Sequence, residues 1–258
     1  MVHVSVIGCG NMGSALVRGL ARNGTHTVTA CDVDPQALEA VSELCSNTTT
    51  DLETAAEADI VFSVVKPDIT ASIVEDLDLS AEQTLVSIAA GVSTDVLEAR
   101  TDATVVRLMP NLAAESGNMA GAISGETIDD DVVAVLEEVG IVVEIDEDQM
   151  DIATAVNGSG PAFVFYLLNA VKQAGVSSGL DPEKAEVLAA QTFKGAAETV
   201  LRDDRSTDEL IEAVCSPKGT TIEGMNVLRE STVEETVEAA VIAAEERSRE
   251  LAEEVSNE

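Results

Sequence analysis

No tryptophan occurs in this chain of 258 residues, and the only aromatic side chains are Phe62, Phe163, Phe165, Tyr166 and Phe193. A core must therefore be built from Ala, Val, Leu and Ile, and at 45% hydrophobic residues there is enough apolar material for one large domain or two small ones. Long apolar runs are missing as well. The stretch "IVFSVV" at 60–65 falls far short of the ~20 residues a membrane helix needs. The N-terminus has no basic segment followed by an apolar one, so the expectation is a cytoplasmic protein with no membrane partner. Histidine is confined to His3 and His26, and the four cysteines, Cys9, Cys31, Cys45 and Cys215, show no C-x-x-C spacing. No metal site is expected from such a set, and the thiols read as reduced packing residues.

Positive charge is the scarcest commodity: 14 Lys and Arg stand against 48 Asp and Glu, for a net charge of −34. A small soluble domain usually carries a magnitude of roughly 2–8. This surface repels nucleic acid and anionic lipid, which excludes both as partners. The acids are spread along the chain and not gathered in a tail, which suits a salty cytosol where the Debye length shrinks to about 3 Å at 1 M. A halophilic archaeal source is expected on that ground.

What is present divides into two textures. From 1 to about 150, "HVSVIG", "TVTACD", "IVFSVVKP", "TLVSIAAG", "TVVRLMP" and "GIVVEID" read as six buried strands separated by segments long enough for crossover helices. That alternation predicts an α/β domain with a doubly wound parallel sheet covered on both faces. From 151 to 258 the strand signal stops and helical spacing takes over, with start signals at Pro161, Pro182, Ser206/Thr207 and Ser231/Thr232. An all-α second domain is expected. In its last helix Val233, Val237, Val241, Ala244, Leu251 and Val255 form an apolar stripe suited to domain or dimer packing.

In the first half, Gly8, Gly10 and Gly13 form G-x-G-x-x-G between a strand and a helix. The context has a mechanism: a tight turn, close backbone approach to a pyrophosphate held by helix N–H groups, and close helix-on-sheet packing, as in Rossmann domains. Asp32, nineteen residues beyond Gly13, is where an acid would bond the adenine ribose and favour NADH over NADPH. Asp-x-Asp-Pro is equally good turn chemistry, so both readings of Asp32 stay open. Lys66 and Pro67 close the third long strand, and Ala89, Ala90 and Gly91 close the next, at the strand ends where ligands bind in open α/β sheets. Lys66 could equally lie along an apolar rim with its charge in water.

In the second half "NGSGPAFVF" and "SPKGTTIEG" read as glycine-rich turns opening helices, each able to offer N–H groups to a small carboxylate or to serve simply as a cap. In order and interval, "GCGNMGSAL", "VVKP", "SIAAGV", "RLMPN", "NGSGPAF" and "SPKGTTIEG" resemble the pyrroline-5-carboxylate reductase family, from about residue 3 to the C-terminus. The last three motifs discriminate. The resemblance implies reduction of the C=N bond of 1-pyrroline-5-carboxylate to L-proline with NADPH or NADH. It also implies a homodimer, or a ring of dimers, formed through the helical domain.

Carried over by position, Gly8, Gly10, Asn11, Met12 and Gly13 would face the pyrophosphate. Val65, Lys66, Pro67, Ala89, Ala90 and Gly91 would line the nicotinamide side, and Asn111 would lie near the ring. Ser216, Lys218, Gly219, Thr220 and Thr221, with Asn157, would hold the substrate, Thr221 being the catalytic orienter near the ring nitrogen. Three departures stand out: "PNLA" (Asn111, Leu112, Ala113) where the family usually reads "PNTP", Asn157 for a usual serine, and Lys218 for a common glycine. Lysine would be strained if the backbone there needs positive φ.

Two other readings remain from the residues alone. One is a β-hydroxyacid-type dehydrogenase, which needs a proton-relaying lysine for which Lys172 is the nearest candidate. The other is a non-catalytic NAD(P)H-sensing module.

Overall fold

The computed structural model describes residues 1–256, with side chains as far as 254. Two compact units emerge: Met1–Ser159 together with Ile242–Glu258, and Gly160–Val241. In the first, strands and helices alternate as β1 (His3–Ile7), α1 (Asn11–Ala21), β2 (Thr27–Cys31), α2 (Pro35–Glu39), β3 (Asn47–Thr49), α3 (Leu52–Ala55), β4 (Ile60–Ser63), α4 (Pro67–Asp76), β5 (Thr84–Ser87) and α5 (Thr94–Glu98). They continue with β6 (Thr104–Met109), β7 (Met119–Ser124), α6 (Asp130–Glu137), β8 (Gly140–Glu144) and α7 (Met150–Ala153). One sheet results, in the order β3-β2-β1-β4-β5-β6-β7-β8. Its order reverses between β1 and β4, which opens a crevice at the carboxyl ends of those strands.

From β2 through β6 both faces of the sheet are buried, and that is why those strands read as unbroken apolar runs; β8, expected to be buried, is instead an edge strand with Ile141 and Val143 exposed. Side chains alternate between two apolar layers: Val4, Val6, Phe62, Val86 and Val106 meet Leu16, Val17 and Leu20 of α1 on one face. Ile7, Val61, Leu85 and Val105 face Val74 and Leu97 on the other. The period of two follows directly from the pleat.

The six expected strands are present, and two more join them. Strand β3, "NTT", is a three-residue polar edge without an apolar pattern. Strand β7, "MAGAIS", is built of residues with weak strand preference. Its Gly121 is small because a Cβ there would sit 3.1 Å from both Leu108 Cδ1 and Val142 Cγ1. One pair corrects the expectation of a wholly parallel sheet: β6 and β7 run antiparallel. Only Pro110–Asn118 connects them, too short a stretch for the crossover of a dozen or more residues that parallel pairing needs.

The second unit holds α8 (Gly160–Ser177), α9 (Pro182–Arg202), α10 (Thr207–Val214), α11 (Thr220–Arg229) and the beginning of α12 (Val233–Ser256). Its starts obey local chemistry. Asp181 caps α9 by accepting the Glu183 and Lys184 amides, with Pro182 first in the helix, and Ser206 and Glu209 form a reciprocal capping box on α10. Apolar burial is a different matter. Among its described residues only Ala185 and Ala189 form a buried apolar pair, while Phe165 and Tyr166 are 68% and 78% exposed. In the stripe of α12, Val237 and Leu251 are exposed, and the Val255 side chain lies outside the described residues.

All four cysteines are free. Burial, reinforced by the Asp32 carboxylate, pushes the Cys9 thiol up to about 12. Burial first, then Asp32, raises Cys31 to about 11, and burial alone raises Cys45 to about 11. Because these values exceed the ordinary 9.0, the thiols stabilise the fold fully below about pH 9 and lose that contribution as pH climbs toward 11–12. Peptide mapping after iodoacetamide treatment at pH 8 should find Cys9, Cys31 and Cys45 alkylated at least tenfold more slowly than in the urea-unfolded chain.

Candidate functional site

Two of the three glycines of the first turn have a steric reason. Gly8 has φ +95°, and a Cβ there would lie 2.5 Å from the Val64 carbonyl oxygen. Gly13 lies so close under the turn that a Cβ would stand 1.8 Å from the Gly8 carbonyl oxygen. Gly10, by contrast, faces open space, with nothing within 4 Å of the position a Cβ would take. It is the N-cap of α1 and supplies no side-chain cap, so the amides of Asn11, Met12 and Gly13 have no acceptor within the helix. The first turn of α1 contains no acid, in a chain that has 48. Open space, unspent N–H groups and the absence of negative charge are what a pyrophosphate requires.

Asp32 adopts the turn chemistry expected of it. Its Oδ2 accepts the Cys9 amide at 2.6 Å and its Oδ1 accepts the Asp34 amide at 2.8 Å. The carboxylate thereby ties the glycine turn to the end of β2 while shaping the turn ahead of Pro35. Each oxygen keeps a lone pair for a ribose hydroxyl.

Val65 packs half-buried beside Gly8, Lys66 is the exposed N-cap of α4, and Pro67 is its first residue. All three follow the end of β4, beside the crevice. Ala89 is buried, and Gly91 turns with φ +77°. The nearest atoms to a Cβ on Gly91 would be the backbone of Ala252 in α12, at 2.6 Å from its Cα. Glycine is demanded here by the last helix as well as by the turn.

The "NGSGP" stretch is corrected in form. It is not a turn opening a helix: α7 runs into a π-helical segment, Thr154–Gly158, and then into α8. The Ser159 amide is already bonded to the Thr154 carbonyl at 2.9 Å. Asn157 Nδ2 donates to the Met109 and Ala120 carbonyls at 2.6 and 2.8 Å, fastening the ends of β6 and β7. Asn111 Nδ2 donates to the Asn157 carbonyl, and its Oδ1 accepts the Ala113 amide. Both carboxamides are thus spent on structure, apart from Asn157 Oδ1, which is enclosed without a partner.

In the second unit, the turn Ser216–Gly219 leads into α11. Gly219 donates its amide to the Ser216 carbonyl at 2.9 Å, so that N–H is consumed internally. The first-turn amides of Thr220 and Thr221 have no acceptor within the helix. Lys218 has φ +62° and is the one non-glycine residue with positive φ among the described residues. The strain expected of lysine at this position is therefore real. Lys172 pairs with Glu186 across α8 and α9.

The chain's resemblance can now be measured. Residues 147–251 match the family model described as pyrroline-5-carboxylate reductase dimerisation, and residues 3–91 match one described as NADP oxidoreductase, coenzyme F420-dependent. A pyrroline-5-carboxylate reductase of Methanosarcina acetivorans is 38% identical over 96% of this chain and 97% of its own. The chain belongs to the pyrroline-5-carboxylate reductase family. A solved pyrroline-5-carboxylate reductase from Coxiella burnetii is similar over 97% of this chain and 98% of its own, with TM-score 0.87 and 32% identity. One from Plasmodium falciparum, with NADP bound, covers the same shares at TM-score 0.83 and 29% identity.

Family membership removes the β-hydroxyacid reading, and the Lys172–Glu186 pair gives that lysine a structural partner. What the sequence reading missed are long-range partners: Ala252 against Gly91, and Glu147 against the buried Arg107. No local pattern marks either.

The glycines give a paired prediction. Gly10→Ala should melt within about 1 kcal/mol of wild type, since its methyl enters empty space. It should weaken dinucleotide binding at least tenfold by calorimetric titration, because the methyl would occupy the space expected to take the phosphates. Gly13→Ala should instead destabilise the fold by more than ~3 kcal/mol in urea titration, since a backbone carbonyl cannot move aside cheaply.

Proposed function

We propose that this chain reduces the C=N bond of 1-pyrroline-5-carboxylate with NAD(P)H to give L-proline. Family membership across nearly the whole of both chains carries that reading, and the space over Gly10 supports its dinucleotide half. Reduced nicotinamide, when bound, supplies a hydride to the imine carbon, the ring carbon double-bonded to nitrogen and opposite the one that bears the carboxylate, and the C=N π pair is taken up by the already protonated nitrogen. The chain's own task is positional. Gly8, Gly10, Asn11, Met12 and Gly13 hold the pyrophosphate. Val65, Lys66, Pro67, Ala89, Ala90 and Gly91 line the nicotinamide side, and Asn111 braces the backbone beside it. Asp32 and Asp34 favour NADH, because a 2′-phosphate would meet like charge.

In the second unit the free amides of Thr220 and Thr221 take the substrate carboxylate. Thr221 orients the ring nitrogen, and Ser216 and Gly219 shape the turn. Lys218 adds a positive charge where the surrounding chain is strongly negative. Asn157 braces the π-helical segment, which narrows its expected substrate contact to one enclosed oxygen.

A homodimer or ring of dimers is part of the proposal. Outside the polar face of Asn169, Lys172 and Gln173, helix α8 is strongly apolar yet buries none of its residues within this chain, and a second copy would cover that surface. No described helix is long and apolar enough to cross a membrane. Four free thiols support a cytoplasmic setting, and the charge of −34 supports a concentrated-salt one, as in a halophilic archaeon.

Mixing the protein with NADH or NADPH and chemically prepared pyrroline-5-carboxylate in molar KCl tests the reaction. Loss of the nicotinamide absorbance with formation of proline is expected, with the higher kcat/KM for NADH. Cofactor binding without turnover would sink the reading in favour of a sensor. Lys218→Gly should leave stability unchanged or raise it by up to ~1 kcal/mol, as relief of left-handed strain outweighs glycine's extra chain entropy. The same variant should raise the substrate KM several-fold at low salt and less in molar KCl, where the charge is screened.

A further inference from the structure

The turn after β5 is held by a closed ring of contacts, all within the first unit. Ser87 of β5 pairs with Arg107 of β6. Arg107, buried, donates from Nη1 to Glu147 Oε1 at 2.5 Å, and the same oxygen accepts the Thr94 amide at the start of α5 at 3.4 Å. Glu147 opens the short 3-10 turn that runs into α7, where Asp151 Oδ1 accepts the Ser248 hydroxyl of α12 at 2.6 Å. Ser248 is buried at 4% exposure. Four residues on, and so on the same face of α12, Ala252 meets Gly91 backbone to backbone. Gly91 returns the ring to β5.

The ring passes through no residue of the glycine turn. It joins Gly91, the last residue of the stretch that matches the NADP oxidoreductase model, to residues 147–251, the stretch that matches the dimerisation model. Two features make its geometry exacting. Gly91 sits in a left-handed conformation with helix backbone where any side chain would go. Ser248 is a buried hydroxyl whose acceptor is a single carboxylate oxygen, and such a bond keeps its partners in register.

We propose that the C-terminal part of α12 is a strut for the cofactor turn, with Ser248 and Ala252 as positioning residues that set the affinity for the dinucleotide. The inference rests on the reading that Ala89–Gly91 lines the nicotinamide side. Removing the Ser248 hydroxyl lets α12 shift on α7, and the turn follows Ala252. Enlarging Ala252 drives the turn outward directly. The loss falls on cofactor binding, because the Ser216–Thr221 turn belongs to the other unit and makes no part of the ring.

The test is calorimetric titration of the full-length protein with NADH in molar KCl, beside steady-state kinetics. Ser248→Ala and Ala252→Leu should each raise the NADH Kd about five- to tenfold, with kcat at saturating NADH and the substrate KM within twofold of wild type. Ser248→Thr, which keeps the hydroxyl, and Asp151→Asn, which keeps an acceptor oxygen, should stay within twofold in Kd. An unchanged Kd in folded Ser248→Ala and Ala252→Leu overturns the strut. So does a uniform loss of kcat, cofactor affinity and substrate affinity that Ser248→Thr does not restore, since general damage would do that. Wild-type protein that fails to bind NADH overturns instead the reading beneath it. Should Ser248→Ala not fold, Ala252→Leu decides alone.

Discussion

Helix α1 meets its neighbours backbone to backbone at two glycines, with no side chain in between, and the first unit is organised around those contacts. Gly13 lies against the Gly8 carbonyl so closely that any Cβ would collide. At the other end of the helix Gly19 does the same to the Ala114 carbonyl, where a Cβ would lie 2.5 Å away. Between them Leu16, Val17 and Leu20 fill the apolar layer over β1 and β4. The helix is thereby pinned at both ends. Its first amides point into the space over Gly10, and its last turn supports the connection in which Asn111 sits. Opening either contact by a methyl's width would move the phosphate cradle relative to the strand ends.

Charge is managed by omission. With so few cations available, backbone N–H groups at the helix starts are the proposed means of holding anions, since they carry partial positive charge whatever the surface does. The first turn of α1 has no acid, and several of the cations are committed to ion pairs. Arg107 holds Glu147, Lys172 holds Glu186, and Arg247 holds Glu250 and Glu254. Lys218 is left in a turn at the cost of a left-handed backbone, a conformation that disfavours lysine by about 1–2 kcal/mol. Among the described residues no other non-glycine position holds a left-handed backbone, and strain of this kind clusters at functional sites.

The two units divide the physical labour. The first has two full apolar layers and folds around its own core. The second has little of one and leaves Phe165, Tyr166 and Val187 exposed along its helices. Reduction of a protonated imine asks for geometry more than for acid–base groups, which fits a chain with two histidines, neither of them within a glycine turn.

By itself the sequence determined whatever is encoded within a few residues. Five strands were legible because a strand buried on both faces is a continuous apolar run, and β8 because its β-branched residues favour extension even at an exposed edge. The caps at Asp181 and Ser206 were legible because capping is local hydrogen bonding. The three glycines and the strain at Lys218 were legible because sterics act on a single residue. Tertiary structure alone decided the rest. Strands β3 and β7 exist because neighbouring strands pair with them, not because their own residues favour extension. The "NGSGP" stretch became a π-helical widening since Asn157 reaches across to two carbonyls of β6 and β7. Gly91 owes its missing side chain to Ala252, at the opposite end of the chain. Such contacts leave no mark in local periodicity, because the partner that imposes them arrives only when the chain has folded.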